Sequence, residues 1–227
     1  QRDPVPRLYE TAAMVREVLL PGGLSPGSEG HTALLRVRLV HAFVRRFTRH
    51  TPGWDSAKFG EPVNQMDMVH TLMMFSLVLA RGLQTLGATL SDEEQRSWCL
   101  LWRYAGHMLG VDEELLFRAP EEERELYALV REHHYRPDDT SRSLAFAVLE
   151  SLSGQPPFYL PGQALFALTR RLLGDPLADQ FQLPRARGWK AAVGAFVAGN
   201  RAVDRLARAA PGTEALALAV SRAFIEL

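Results

Sequence analysis

Apolar positions recur every three to four residues along nearly the whole chain, and no run alternates at the two-residue period of a half-buried strand. Gly, Pro and Asp signals cut this pattern into segments. "RLYETAAMVREVLL" predicts a first helix ended by Pro21-Gly22-Gly23, and "LSPGSEG" a loop. A second helix then runs to about His50, followed by a loop over "TPGWDSAKFG". Pro62 suits the first turn of a long apolar helix that ends near Gly87. Ser91, with Glu94 at capping-box spacing, starts the next helix, through "QRSWCLLWRYAGHMLG". Shorter helices are predicted at about 112–117, 120–134, 138–152 and 162–173. Pro184 and Pro211 bracket an Ala-rich helix, and a last helix starts near Gly212. With no repeat and no interdomain linker, the pattern predicts one all-α domain over residues 1–227.

The second helix breaks the usual segregation of apolar and polar faces. In "RVRLVHAFVRR", residues 36–46, Val37, Leu39, Val40, Phe43 and Val44 spread around most of the circumference, which predicts a buried helix. The same stretch carries Arg36, Arg38, His41, Arg45 and Arg46. A buried guanidinium needs a partner. Arg38, His41 and Arg45 stand at i−3, i and i+4 and project together, within about 60° of one another. Val37 and Val44 flank the same face. Such a face suits a flat, anionic, apolar cofactor, with imidazole on a metal, guanidiniums on carboxylates and valines against a macrocycle. It equally suits a buried histidine whose arginines pair with acids elsewhere, and spacing alone leaves both open.

Two further groups stand out. Arg7, Glu10 and Thr11 share one face of the first helix, where a surface pair is the plain reading. In "NQMDMVHT", Asp67 and His70 are spaced to hydrogen-bond as a carboxylate–imidazole pair beside Thr71, within a largely apolar helix. A satisfied buried polar network accounts for them as well.

Composition mainly removes options. Twenty-six basic and 26 acidic residues balance, which gives no electrostatic case for nucleic acid or an anionic membrane. Cys99, the one cysteine, excludes an internal disulfide and Cys-rich metal sites, and reads as a small core residue. In "MVHTLMMFSLVLARGLQTLG" about 10 residues separate Thr71 from Arg81, short of the roughly 20 that span a bilayer, so a core helix is expected and no transmembrane segment. A cytoplasmic location is expected, with export left open because the chain starts at Gln1 without a methionine. No P-loop, dinucleotide fingerprint or zinc-protease motif occurs.

These motifs resemble, in order, the rubber-oxygenase catalytic domain family, which includes the latex clearing proteins and the mpaB-type oxygenases. The resemblance rests on "RVRLVHAFVRR", on "PVNQMDMVHTLMMFS" after Trp54, on "WRYAGHMLGV" at 102–111 and, more loosely, on "LTRRLLGDPLADQFQLP" at 168–184. It covers most of residues 7–185. It implies an all-α fold with a globin-like core around haem b. His41 matches the proximal iron ligand, and Arg38 and Arg45 match arginines needed for haem binding or stability. Val37, Val44, His70 and Thr71 would complete the cofactor pocket, and Met74 and Phe75 would help to line it. The distal Arg-x-x-Lys-Thr of latex clearing proteins falls on Arg7, Glu10 and Thr11, so Glu10 replaces the lysine. An open or water-occupied distal position is therefore expected.

The implied activity is oxidative C=C cleavage of an isoprenoid or other apolar substrate with O₂. Arg7 and Thr11 would hydrogen-bond dioxygen and Glu10 would shuttle a proton. The alternatives are a haem-binding sensor or carrier without turnover, and an all-α interaction module that has lost haem.

Overall fold

The computed structural model describes residues 5–156 and 159–209, the side chain of His134 excepted. Among the described residues every regular element is helical. The chain contains α1 (Val5–Leu19), α2 (Glu29–Arg49), the short α3 (Ser56–Phe59) and α4 (Gln65–Met73). A π turn over Met74–Val78 continues into α5 (Leu79–Thr85). Then come α6 (Asp92–Leu109), a 3₁₀ turn over Glu113–Leu115, α7 (Pro120–His134), α8 (Asp139–Leu152), α9 (Gly162–Leu173), α10 (Asp175–Gln180) and α11 (Arg187–Ala209). The helix predicted from Gly212, and Pro211 before it, lie outside the described residues.

Several helix starts form as their side chains dictate. The Ser91 hydroxyl accepts from the Glu94 amide, while the Glu94 carboxylate accepts from the Ser91 amide at 2.7 Å, completing the capping box. Ser28 caps α2 by accepting from the His31 amide. The long apolar helix starts three residues later than Pro62 suggested. Val63 adopts a φ of +49°, which no helix continues through, and Asn64 caps α4 by accepting from the Asp67 amide. Two short helices, α3 and α10, lie where a loop or no separate element was expected. They are four and six residues long, and periodicity does not register over so few residues.

The chain divides into two compact units, each assembled from segments distant in sequence. One comprises residues 10–80 and 91–135. Its core packs Leu34 of α2, Val69, Leu72 and Met73 of α4, and Trp102 and Ala105 of α6, all at most 2% exposed. Cys99 belongs to this core, and burial, then the charges of Glu123, Glu121 and Glu122, push its thiol up to about 12. The stretch Gln65–Thr85 is long and apolar enough, by length and composition, to cross a membrane. The core helix of a soluble protein passes the same test, and Val69, Leu72 and Met73 do pack in a core.

The π turn has specific partners. Widening the helix changes which backbone groups bond along it. The Leu77 amide donates to the buried Glu123 carboxylate at 3.1 Å, and the Trp98 indole N–H donates to the Ser76 carbonyl at 3.0 Å.

Among the described residues, the other unit comprises 5–9, 81–90, 136–156 and 159–209. In it α9 packs against α8, α10 and α11. Arg170 is buried there and donates to the Leu183 carbonyl at 2.9 Å and to Asp175 and Asp179 at 2.5 and 2.7 Å. The Asn200 amide of α11 donates to the Leu86 carbonyl at 2.9 Å.

Candidate functional site on α2

The site is built on α2 in the first of these units. Its entry is fixed by close backbone approach. A Cβ on Gly30 would meet the carbonyl oxygens of Gly23 and, at 2.6 Å, of Glu17. Only glycine allows α2 to cross the end of α1 this closely.

The face carrying Leu34, Val37, His41, Arg45 and Thr48 turns toward the core: Leu34 is fully buried and the other four are half-buried. The opposite side departs from expectation. Leu39 is 71% and Phe43 69% exposed, and Val40, Val44 and Phe47 are exposed too. The helix is thus not enclosed on all sides. One face enters the core, and the rest forms an apolar ridge on which Phe43 and Phe47 stack with ring centroids 6.3 Å apart.

The two arginines beside His41 also depart from the alternative reading that paired them with acids elsewhere in the chain. Arg38 donates from Nη1 to the Met108 carbonyl at 3.3 Å. Arg45 donates from Nε and Nη2 to the Val63 carbonyl, at 3.2 and 2.7 Å. No acidic partner is found for either among the described residues. The physical reason is the supply of unpaired carbonyls. Met108 lies in the last turn of α6, whose carbonyls have no helical partner, and Val63 lies in the loop before α4. Arg38 further packs on Gly110, the left-handed residue (φ +87°) that ends α6, where a Cβ would come within 3.1 Å of Nε. Arg38 thus ties α2 to the end of α6, and Arg45 ties it to the start of α4.

His41 lies between these ties. Burial, and then the Arg45 charge, hold its pKa below the ordinary imidazole value, which favours the neutral ring. Its Nδ1 is buried and has no hydrogen-bond partner among the described residues. Leaving such a nitrogen unpaired costs about 1–3 kcal/mol, a cost that makes sense for a ring placed to ligate. The residues present fit a haem-like group. They supply a neutral imidazole, the apolar Val37 and Val44 on its flank, and guanidinium donors for acidic substituents, since Arg38 commits one of its five N–H groups to the protein. Among the described residues no cluster of three or more His, Cys, Asp or Glu forms a multi-ligand metal site. A porphyrin supplies most of its iron's ligands itself, so one side chain suffices.

The expected Asp67–His70 pair does not form. The Asp67 carboxylate instead accepts from the Asn64 side chain at 2.7 Å, as part of the cap of α4. His70 stands edge-on to Tyr135 with ring centroids 5.6 Å apart. Tyr135 in turn meets the Tyr127 hydroxyl at 3.4 Å and the Met74 sulfur at 3.7 Å, and burial pushes its phenol well above the usual range. The Thr71 hydroxyl donates to the Asp67 carbonyl one turn back, at 2.8 Å. Arg7, Glu10 and Thr11 are exposed on α1. The residues that sequence reading missed are Val63, Met108, Tyr127 and Tyr135. The first two act through backbone carbonyls, which carry no side-chain signal.

These observations define an all-α protein with a half-buried imidazole on a helix braced by two arginines. The chain belongs to the family described as ER-bound oxygenase mpaB/B′/rubber oxygenase, catalytic domain, whose model matches residues 1–209. It is 27% identical over 113 residues to the rubber oxygenase of Streptomyces sp. (strain K30), covering 48% of this chain and 28% of that protein. Its fold is that of latex clearing protein in the closed state, with a TM-score of 0.78 and 18% identity over all of this chain and 62% of that one. The chain therefore spans less than two thirds of either relative.

Proposed function

We propose that this protein is a haem b-dependent oxygenase that uses O₂ to cleave a C=C bond of an isoprenoid or similarly apolar substrate. The observation that carries the reading is His41, whose ring is held neutral, with one nitrogen buried and unpaired, between two arginines that fix the helix around it. Membership of an oxygenase family supports the reaction class. When bound, haem supplies the iron that activates dioxygen, and both oxygen atoms end in the two carbonyl groups that replace the C=C bond.

The chain's own residues have separate tasks. His41 holds the cofactor, which requires the neutral ring that burial and Arg45 favour. Arg38 and Arg45 set the spacing of α2 from α6 and α4, and the remaining Arg38 donors receive an acidic substituent. Val37, half-buried on the core side, covers the ring's flank, and the exposed Val44 would offer apolar surface to the cofactor's edge. His70 and Thr71 contribute from α4, where the Tyr135 edge and the helix carbonyl respectively orient them. The family resemblance would give Arg7 and Thr11 the donation of hydrogen bonds to dioxygen, and the Glu10 carboxylate the transfer of a proton.

The test is an absorption spectrum of the purified protein, as isolated and after dithionite, with a pyridine haemochrome assay. Stoichiometric haem b in the parent and its loss in His41→Ala are expected. Equal haem in the variant would refute the ligand assignment. Haem bound without O₂ consumption on polyisoprene or terpenoid substrates would point to a sensor or carrier.

A further inference from the structure

The second unit holds a cleft of about 470 Å³ between α9, the loop after α10 and the start of α11. That volume falls within the roughly 300–1,000 Å³ typical of small-molecule sites. Its lining is unusual in charge. Arg170, Arg171, Arg185, Arg187 and Lys190 contribute five basic side chains, and Asp175 is the one acid. The whole chain is balanced, so this excess is local.

Hydrogen bonding separates these cations into two kinds. Arg170 is buried and fully engaged, with Asp175, Asp179 and the Leu183 carbonyl as partners. Arg185 shares Asp179 at 2.8 Å. This network consumes both acids and fixes the cleft wall. The side chains of Arg171, Arg187 and Lys190 form no ion pair or hydrogen bond among the described residues, though they converge on one cleft from two helices. Placing Arg187 and Lys190 in the first turn of α11, which holds no acid, sets like charge against the positive end of a 23-residue helix. Between the cations, Ala167 and Val193 supply an apolar floor, and Gly194 leaves it open.

We infer that this cleft binds an amphipathic anion, a phosphate- or carboxylate-type head held by Arg171, Arg187 and Lys190 with a short hydrocarbon body on Ala167 and Val193. Such a ligand answers both features of the site. The head offsets much of the charge of three unpaired cations, and the body covers an apolar floor that a bare ion would leave wet. Free amphiphile and the phosphate head of a bilayer lipid share this chemistry. The site shares no residue with the His41 face, so it stands apart from the oxygenase reading.

The experiment is calorimetric titration of the intact protein with decyl phosphate, inorganic phosphate and decanol, for the parent, Arg171→Ala and Arg187→Ala/Lys190→Ala. Decyl phosphate is expected to bind once per chain, and inorganic phosphate and decanol at least about tenfold more weakly. Each variant is expected to raise the decyl phosphate Kd at least about tenfold. All three residues are exposed, so helicity by circular dichroism should be unchanged. No binding of decyl phosphate, or equal binding by the variants, overturns the inference. Inorganic phosphate binding as tightly as decyl phosphate reduces the cleft to a bare anion site, and decanol doing so reduces it to an apolar groove; either result overturns it. Co-sedimentation with phosphatidylglycerol vesicles then distinguishes the source. Sedimentation lost in the double variant assigns a bilayer lipid head, and none at all assigns a free amphiphile. Vesicle binding without decyl phosphate binding overturns the cleft as the site.

Discussion

Arg45→Met isolates what the arginine beside His41 does for the fold. Methionine keeps much of the aliphatic stem and removes the two guanidinium hydrogen bonds to the Val63 carbonyl, at 3.2 and 2.7 Å. A hydrogen bond involving a charged group contributes about 1.5–3 kcal/mol, and because both donors share one acceptor they are counted once. Val63 is a β-branched residue at φ +49°, a conformation that costs about 1–3 kcal/mol unless its surroundings impose it. Losing the guanidinium lets this loop relax, which recovers part of the loss. With about 1 kcal/mol recovered in this way, the expected net destabilisation is about 1 kcal/mol, or roughly 2–4 °C in Tm for a chain of this size.

The assay is urea unfolding followed by circular dichroism, at matched cofactor content so that ligand binding adds no difference. Val63→Gly closes a double-mutant cycle. In the parent, glycine removes the strain at φ +49°; in Arg45→Met that strain is already released, so the two changes should be non-additive by about 1 kcal/mol. A single variant within about 0.5 kcal/mol of the parent, or a cycle additive within about 0.3–0.5 kcal/mol, would show that Arg45 does not pin the loop.

The remaining predictions concern protonation, close packing and the π turn. His41 has its pKa lowered in the folded state, so the unfolded chain binds the proton more readily; its contribution to stability is present above the ordinary value of 6.5 and is lost as pH falls below it. Denaturant titrations from pH 7.5 to 5 should show this loss in the cofactor-free parent and a flatter profile in His41→Gln; identical profiles would count against the burial assigned to the ring. Gly30→Ala should cost about 1–3 kcal/mol or more, because the added methyl meets the backbone carbonyls of Gly23 and Glu17, which have no rotamer to change; an unchanged melting temperature would refute the close crossing. Glu123→Ala should cost about 1–3 kcal/mol by leaving the buried Leu77 amide without its carboxylate, and hydrogen exchange at Leu77 should accelerate more than at Val69. Equal acceleration at both would mean that the carboxylate supports the fold generally, not the π turn.

Much of the local architecture was legible because it depends on residues close in sequence. The three-to-four-residue period identified α1, α2, α6, α7 and α9, and Ser91 with Glu94 marked a helix start by hydrogen bonds spanning one turn. The shared face of Arg38, His41 and Arg45 follows from helix geometry alone. Tertiary structure decided what that face meets. The arginines took carbonyls of Met108 and Val63, one of them 70 residues away, because a helix end and a loop brought unpaired acceptors within reach. Asp67 turned to Asn64 because capping its own helix lay nearer than orienting His70. The ridge of Leu39, Val40, Phe43 and Phe47 stayed exposed because apolar pattern states what favours burial, not whether a neighbour arrives to bury it. The cationic cleft was hidden for the same reason: Arg171 and Lys190 meet there only through the packing of α9 against α11, and helical periodicity describes one helix at a time.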